Sequence, residues 1–181
     1  MKAERISSIN MRWKSSLKIT SQVWAAYRKT TTSGMPEEIN STPSTQYWNE
    51  VLLPKERLDP DLVKALIATE SAFNPHAGIK PRPKKAKGLM QLTRQTTQAL
   101  RDQKGELKDH FVVLSKADIE NPNLIICAGI RWLFRKQRTA TSKFGREATW
   151  DEAIADYKSY FKDLDNPQML KLRKLYQKLK K

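Results

Sequence analysis

At 181 residues and 20.9 kDa, the chain is long enough for one domain with a real core plus an appended segment. A hydrophobic share of 39% and five tryptophans exclude a wholly disordered protein. The net charge of +15, with a pI near 10.0, favours polyanionic partners and says nothing about fold. The single cysteine, Cys127, rules out an intramolecular disulfide, and with only His76 and His110 beside it no metal site built from Cys and His is expected.

Residues 5–29 place Trp13, Leu17, Trp24 and Tyr27 at helical spacing among polar and basic positions, which predicts an amphipathic helix. Thr30 to Thr45, rich in Ser, Thr, Pro and Gly, reads as a linker, so residues 1–45 form an N-terminal extension and 46–181 the main domain. Tyr47, Trp48, Val51 and Leu52 then begin a short helix that Pro54 ends. Asp59-Pro60 is an N-cap followed by proline at the first helical position, and predicts a helix over 59–73 that Pro75 stops.

Within that helix Leu62, Leu66 and Glu70 sit four apart, with Val63 and Ile67 beside them, so an acid falls on the apolar stripe. A carboxyl so placed, near the negative end of a helix dipole, is expected to hold its proton tightly, as a general acid must. The bland alternatives are a glutamate at a frayed helix end or one buried in an ion pair.

Gly78 to Lys87 carries two prolines and five cations, and reads as a solvated loop that also suits a basic lip on a cleft. Thr93 caps a helix over about 94–103, and 104–120 is irregular or partly helical. Asn121-Pro122 starts a helix carrying Ile125, Ile126, Gly129, Ile130, Leu133 and Phe134, on which Cys127 is a small buried thiol. Thr149 and Glu152 form a capping box before Ala153, Ile154, Tyr157 and Phe161. Asn166-Pro167 opens a last helix with a basic, solvated face. No alternating β-run is convincing, and the class is mainly α.

The runs Glu70-Ser71-Ala72-Phe73-Asn74-Pro75-His76-Ala77 and Gly88-Leu89-Met90-Gln91 resemble the catalytic core of the soluble lytic transglycosylases, which have a goose-type lysozyme-like fold. That family's pattern is Glu-Ser-x-Phe-x-Pro-x-Ala, Gly-Leu-Met-Gln, Asn-Ile-x-x-Gly-x-x-Tyr-Leu and Ala-x-x-Tyr-Asn-x-Gly. The third block is looser here: Ile126, Gly129 and Leu133 fit, whereas Ile125 and Trp132 replace asparagine and tyrosine. In the fourth, Tyr157 is kept, but Lys158 stands for asparagine and Tyr160 for glycine. The resemblance spans about residues 55–162 and implies a lysozyme-like helical domain with the N-terminal helical extension outside it.

It also implies cleavage of the β-1,4 bond between N-acetylmuramic acid and N-acetylglucosamine in peptidoglycan, with formation of 1,6-anhydro-muramic acid ends. Glu70 would be the single general acid and base, the substrate's acetamido group would support the charge at C1, and no metal or organic cofactor would be needed. Ser71 would touch the substrate, orient the carboxyl, or simply finish the helix. Met90 would line the cleft or fill an irregular core, Gln91 would offer its amide to the sugars, and Tyr157 would bring a hydroxyl near Glu70 or a sugar.

The rival enzyme is a water-using muramidase with Asp102, Glu106 or Asp109 as second acid. A rival of another class is a glycan-binding or structural module of the same fold. A specific nucleic-acid binder lacks any recognised motif. The chain contains no apolar run long enough to cross a membrane, and its start has no signal-peptide core. The expectation is therefore synthesis in the cytoplasm and non-Sec delivery to the periplasm or wall, by a secretion apparatus or a phage particle.

Overall fold

The computed structural model describes residues 40–79 and 85–181, so the helix expected over 5–29 lies outside the described residues. Among the described residues the protein is mainly helical, with one two-residue ladder. Its first described helix, α1 (Thr42–Leu52), begins inside the stretch read as linker. Pro43 suits a helix's first turn, and Ser41, Ser44 and Thr45 are buried, with the Ser41 hydroxyl donating to Pro60 O at 2.8 Å. Residues 41–45, linker-like in composition, thus pack against the rest of the fold.

From α1, the Trp48 indole N–H reaches across to Cys127 O at 2.8 Å. Asn49 both donates to Leu58 O and accepts from Leu58 N, each at 2.8 Å, which ties down the loop before the next helix. That helix, α2 (Pro60–Ser71), starts as its sequence signals: the Asp59 side chain accepts from Asp61 N, with Pro60 at the first position. Its stripe of Leu62, Val63, Leu66 and Ile67 is buried. Its end differs from the expectation. The helix stops at Ser71, where Ala72 and Phe73 take left-handed φ values of 50° and 60°, before Pro75 is reached.

A turn around Leu89 and Met90 joins β1 (Ala86–Lys87) to β2 (Leu92–Thr93), paired antiparallel with Ala86 opposite Thr93. Gly88 enters that turn at φ 71°, and a Cβ there would lie 2.9 Å from Ile119 O, so only glycine fits without strain. Thr93 then caps α3 (Arg94–Arg101), as predicted, and two short 3-10 turns occupy Lys108–His110 and Ala117–Glu120.

The centre of the molecule is α4 (Pro122–Phe144), 23 residues capped by Asn121 and closed by Gly145. Leu124 to Ile130 are 0–1% exposed where hydrophobic, so other elements wrap the helix on all sides. The expected capping box is present in α5 (Trp150–Tyr157): the Thr149 hydroxyl accepts from Glu152 N while the Glu152 carboxylate accepts from Thr149 N. The last helix, α6 (Pro167–Leu179), lays Met169 and Leu172 against the core and packs on α2. Among the described residues, no helix is long and apolar enough to cross a membrane.

Candidate active site

Three pieces of chain converge on a cleft of about 330 Å³. The last turn of α2 brings Thr69 and Glu70, the β-turn brings Gln91, and the end of α5 brings Tyr157 and Lys158. Tyr160 and Gln168 close its far side. The volume lies at the lower end for small-ligand sites and suits part of a polymer passing along an open trench.

Glu70 is largely shielded, with 16% of its side chain exposed, and its carboxylate is paired with the ammonium of Lys158. Two of the sequence readings, an acid beside a cleft and an acid in an ion pair, therefore meet in one side chain. Lys158 is shielded further, at 6%, and also donates to the Thr69 hydroxyl at 3.2 Å. The turn after it is tight: Ser159 sits at φ 65° and Tyr160 N donates to Ala155 O at 2.7 Å.

Of the other expected site residues, Gln91 and Tyr157 line the cleft, whereas Ser71 and Met90 stand behind it. The Ser71 hydroxyl is buried and donates to Ile67 O at 3.2 Å, one turn back along α2. Met90 is fully buried, and its carbonyl accepts from the Tyr157 hydroxyl at 2.5 Å. Burial, reinforced by the negative charge of Glu70, pushes the Tyr157 hydroxyl well above the ordinary phenol range, so it acts as a neutral donor. Gln91 turns its amide N–H inward to Gly88 O at 2.8 Å and Ala77 O at 3.3 Å, which leaves its side-chain carbonyl as the group to offer a ligand.

Five non-glycine residues among those described have left-handed φ, and four of them (Ala72, Phe73, Gln91 and Ser159) border the segments that build the cleft. Such strain costs of order 1 kcal/mol per residue and gathers at functional sites. Asp102, Glu106 and Asp109, the candidate second acids, do not line the cleft, and Glu106 pairs instead with Arg135. The basic loop meets the site through Ala86, which lines the cleft, while residues 80–84 lie outside the described set.

Sequence reasoning overlooked Lys158 as partner of Glu70, although it sits in the fourth motif block. It also passed over Thr69, next to the acid, and Gln168, for which no local signal exists.

Residues 47–168, about two thirds of the chain, match the family model of the transglycosylase SLT domain. Neither the comparison with curated proteins nor that with solved structures returns a match. The match covers every segment that lines the cleft, from the end of α2 to the start of α6. It carries with it the general function of that domain, a lysozyme-like action on peptidoglycan. The helical architecture, the converging motif residues and the matched span lead to one statement of kinship: the chain belongs to the transglycosylase SLT family.

Proposed function

We propose that the protein is a peptidoglycan lytic transglycosylase in which Glu70 serves as both general acid and general base. It would cleave the N-acetylmuramic acid to N-acetylglucosamine bond and leave 1,6-anhydro-muramic acid ends. One observation carries this reading: Glu70 is the sole carboxylate among the described residues that line the cleft. A hydrolase with two carboxylates needs its second acid about 5–9.5 Å from the first, across the scissile bond. A lone acid instead suits a reaction that consumes no water.

The proton traffic follows. Protonated Glu70 donates to the glycosidic oxygen as the C1–O bond breaks, with the neighbouring acetamido group supporting the charge at C1. The carboxylate then takes the proton of the muramoyl C6 hydroxyl, whose oxygen closes on C1. Glu70 ends as it began, with no net gain or loss of protons. Gln91 is placed to accept a hydrogen bond from a sugar N–H or hydroxyl, and the tie from Tyr157 to Met90 O fixes the floor beneath it. The place of action is the bacterial wall, where this polymer is.

The test is mass spectrometry of the muropeptides released from purified sacculi. Anhydro ends are the expected product, and reducing muramic acid ends would refute the proposal in favour of a muramidase. Glu70→Gln is expected to lower wall clearing by at least about 10²-fold. Clearing at the wild-type rate would remove Glu70 from the chemistry.

A further inference from the structure

An acid paired with an ammonium carries no proton to give. The pair therefore raises a question that the motif residues do not answer: where the proton on Glu70 comes from. Two routes are open to such a pair. The lysine can swing out and leave the carboxylate to protonate from water, or it can hand over its own proton.

The surroundings of Lys158 oppose departure. Its side chain is 6% exposed, its ammonium is held from a second side by the Thr69 hydroxyl, and its backbone is locked in the turn that ends α5. Thr69 itself is anchored, donating to Leu66 O at 2.9 Å.

We propose that Lys158 is the proton store of the active site: it holds the catalytic proton in the resting enzyme and passes it to Glu70 when the glycan strand covers the cleft. The inference rests on the reading of Glu70 as the acid. In the step, an Nζ–H bond of Lys158 breaks and an Oε1–H bond of Glu70 forms, which converts an ion pair into a neutral amine and carboxylic acid. Expelling water from the cleft favours this direction, because two charges lose solvation and two neutral groups lose little. Glu70 then protonates the leaving oxygen, recovers a proton from the C6 hydroxyl, and returns it to the amine when water re-enters. No other reactant is needed. Lys158 acts through Glu70 and is a positioning residue in that sense.

The pH profile separates this role from a structural one. The other titratable groups facing the pair are Tyr157 on α5 and Tyr160 just beyond it; Thr69, Gln91 and Gln168 do not titrate. Lys85 and Lys87 flank Ala86 at the margin, and Asp156 is turned away, held by Lys136 and Lys143 of α4. A pair that shares one proton between its two members passes it back and forth without exchanging it with the bulk. The share of pairs in the neutral form is then constant, and the rate on sacculi should change less than about threefold between about pH 6 and pH 9. In Lys158→Met the carboxyl must draw its proton from bulk water, so the rate should fall as pH rises over that window.

Lys158→Arg keeps the charge but cannot release a proton, and its expected rate is at least about 10²-fold below wild type across the window. Circular dichroism melts confirm that each variant is folded at the assay temperature. If Lys158→Met melts below it, the arginine variant decides alone. A flat profile for Lys158→Met, a wild-type rate for Lys158→Arg, or a wild-type rate that falls more than about threefold from about pH 6 to pH 9 would each overturn the proposal. Glu70→Gln in the same assay keeps the two readings apart. Its inactivity alongside a flat Lys158→Met profile removes only the proton store, whereas its activity removes Glu70 itself.

Discussion

Gly129 has a role that reaches from the core to the cleft. It sits about a third of the way along α4 and faces the turn that carries Met90 and Gln91. A Cβ at this position would lie 2.5 Å from Met90 Cγ, 2.6 Å from its Cβ and 2.7 Å from its Cε. Carbon atoms in good contact stand about 3.5–4.0 Å apart, so Gly129→Ala is short of room by about 1 Å. One of the three clashing atoms, the Met90 Cβ, is fixed by the backbone, so no rotamer change can clear it and the turn must move. Such overpacking costs about 1–3 kcal/mol, while replacing a helical glycine with alanine returns about 1 kcal/mol. The net expectation is a loss of about 0–2 kcal/mol, or a Tm lower by up to about 8 °C. Activity should suffer more than stability. The Met90 carbonyl that receives the Tyr157 hydroxyl would shift, and so would Gln91, whose own φ is 46°. A displacement of about 1 Å at a positioning residue is worth about 10²-fold in rate. The assays are thermal melts by circular dichroism and turbidity loss of a sacculus suspension well below the Tm. Adding Met90→Ala removes two of the three close atoms and should relieve part of the clash, giving a double-mutant coupling of about 0.5 kcal/mol or more in the direction of rescue. A raised Tm for Gly129→Ala, or no coupling with Met90→Ala, would refute the reasoning.

Tyr157→Phe strands the carbonyl of the buried Met90 and should cost about 1–3 kcal/mol along with activity, read by the same melts and turbidity assay. Burial holds the Tyr157 hydroxyl well above the phenol range and also raises Tyr47 and Tyr176, so spectrophotometric titration of the wild type should find several tyrosines still protonated at about pH 10, one fewer in Tyr157→Phe. Glu152 tests the acid side of the stability curve. The Arg146 guanidinium, followed by the capping bonds at Thr149, lowers its carboxyl from 4.5 to about 2. A depressed native value means that the stabilisation is full above the unfolded carboxyl range and is lost as pH falls from about 4.5 through about 2. Glu152→Gln should therefore cost about 1 kcal/mol near neutrality, in keeping with a lost cap and a solvent-exposed arginine, and the difference in Tm should close as pH is lowered through that window.

Helix starts were readable because each rests on a local device. Asp59-Pro60, Asn121-Pro122, Asn166-Pro167 and Thr149 with Glu152 all cap the helices they announce, since an N-cap needs only a few neighbouring residues to work. Helix ends were harder. Ala72 and Phe73 have no intrinsic preference for left-handed backbone, so the stop at Ser71 is imposed by tertiary packing, and Pro75 misled because it lies close by. The start of α1 was hidden for the same kind of reason. Ser41, Ser44 and Thr45 look like linker by composition, yet they are buried by contacts with the rest of the fold, such as the bond from Ser41 to Pro60 O.

The site divides along the same line. Glu70, Gln91 and Tyr157 were legible through motif blocks in which the spacing itself encodes a place on a helix or turn. The contact that changes the chemistry, Lys158 against Glu70, joins residues 88 positions apart and has no local signature. In the sequence Lys158 is only a departure from the family's asparagine. Its place against Glu70 points to altered proton supply. A neutral amide at that position can hydrogen-bond the acid in its protonated form and leave the proton where it is. A lysine there brings a proton of its own, so the substitution changes the number of protons that the site stores as well as its shape. That difference makes the pH profile, more than the overall rate, the measurement on which the catalytic account of this cleft turns.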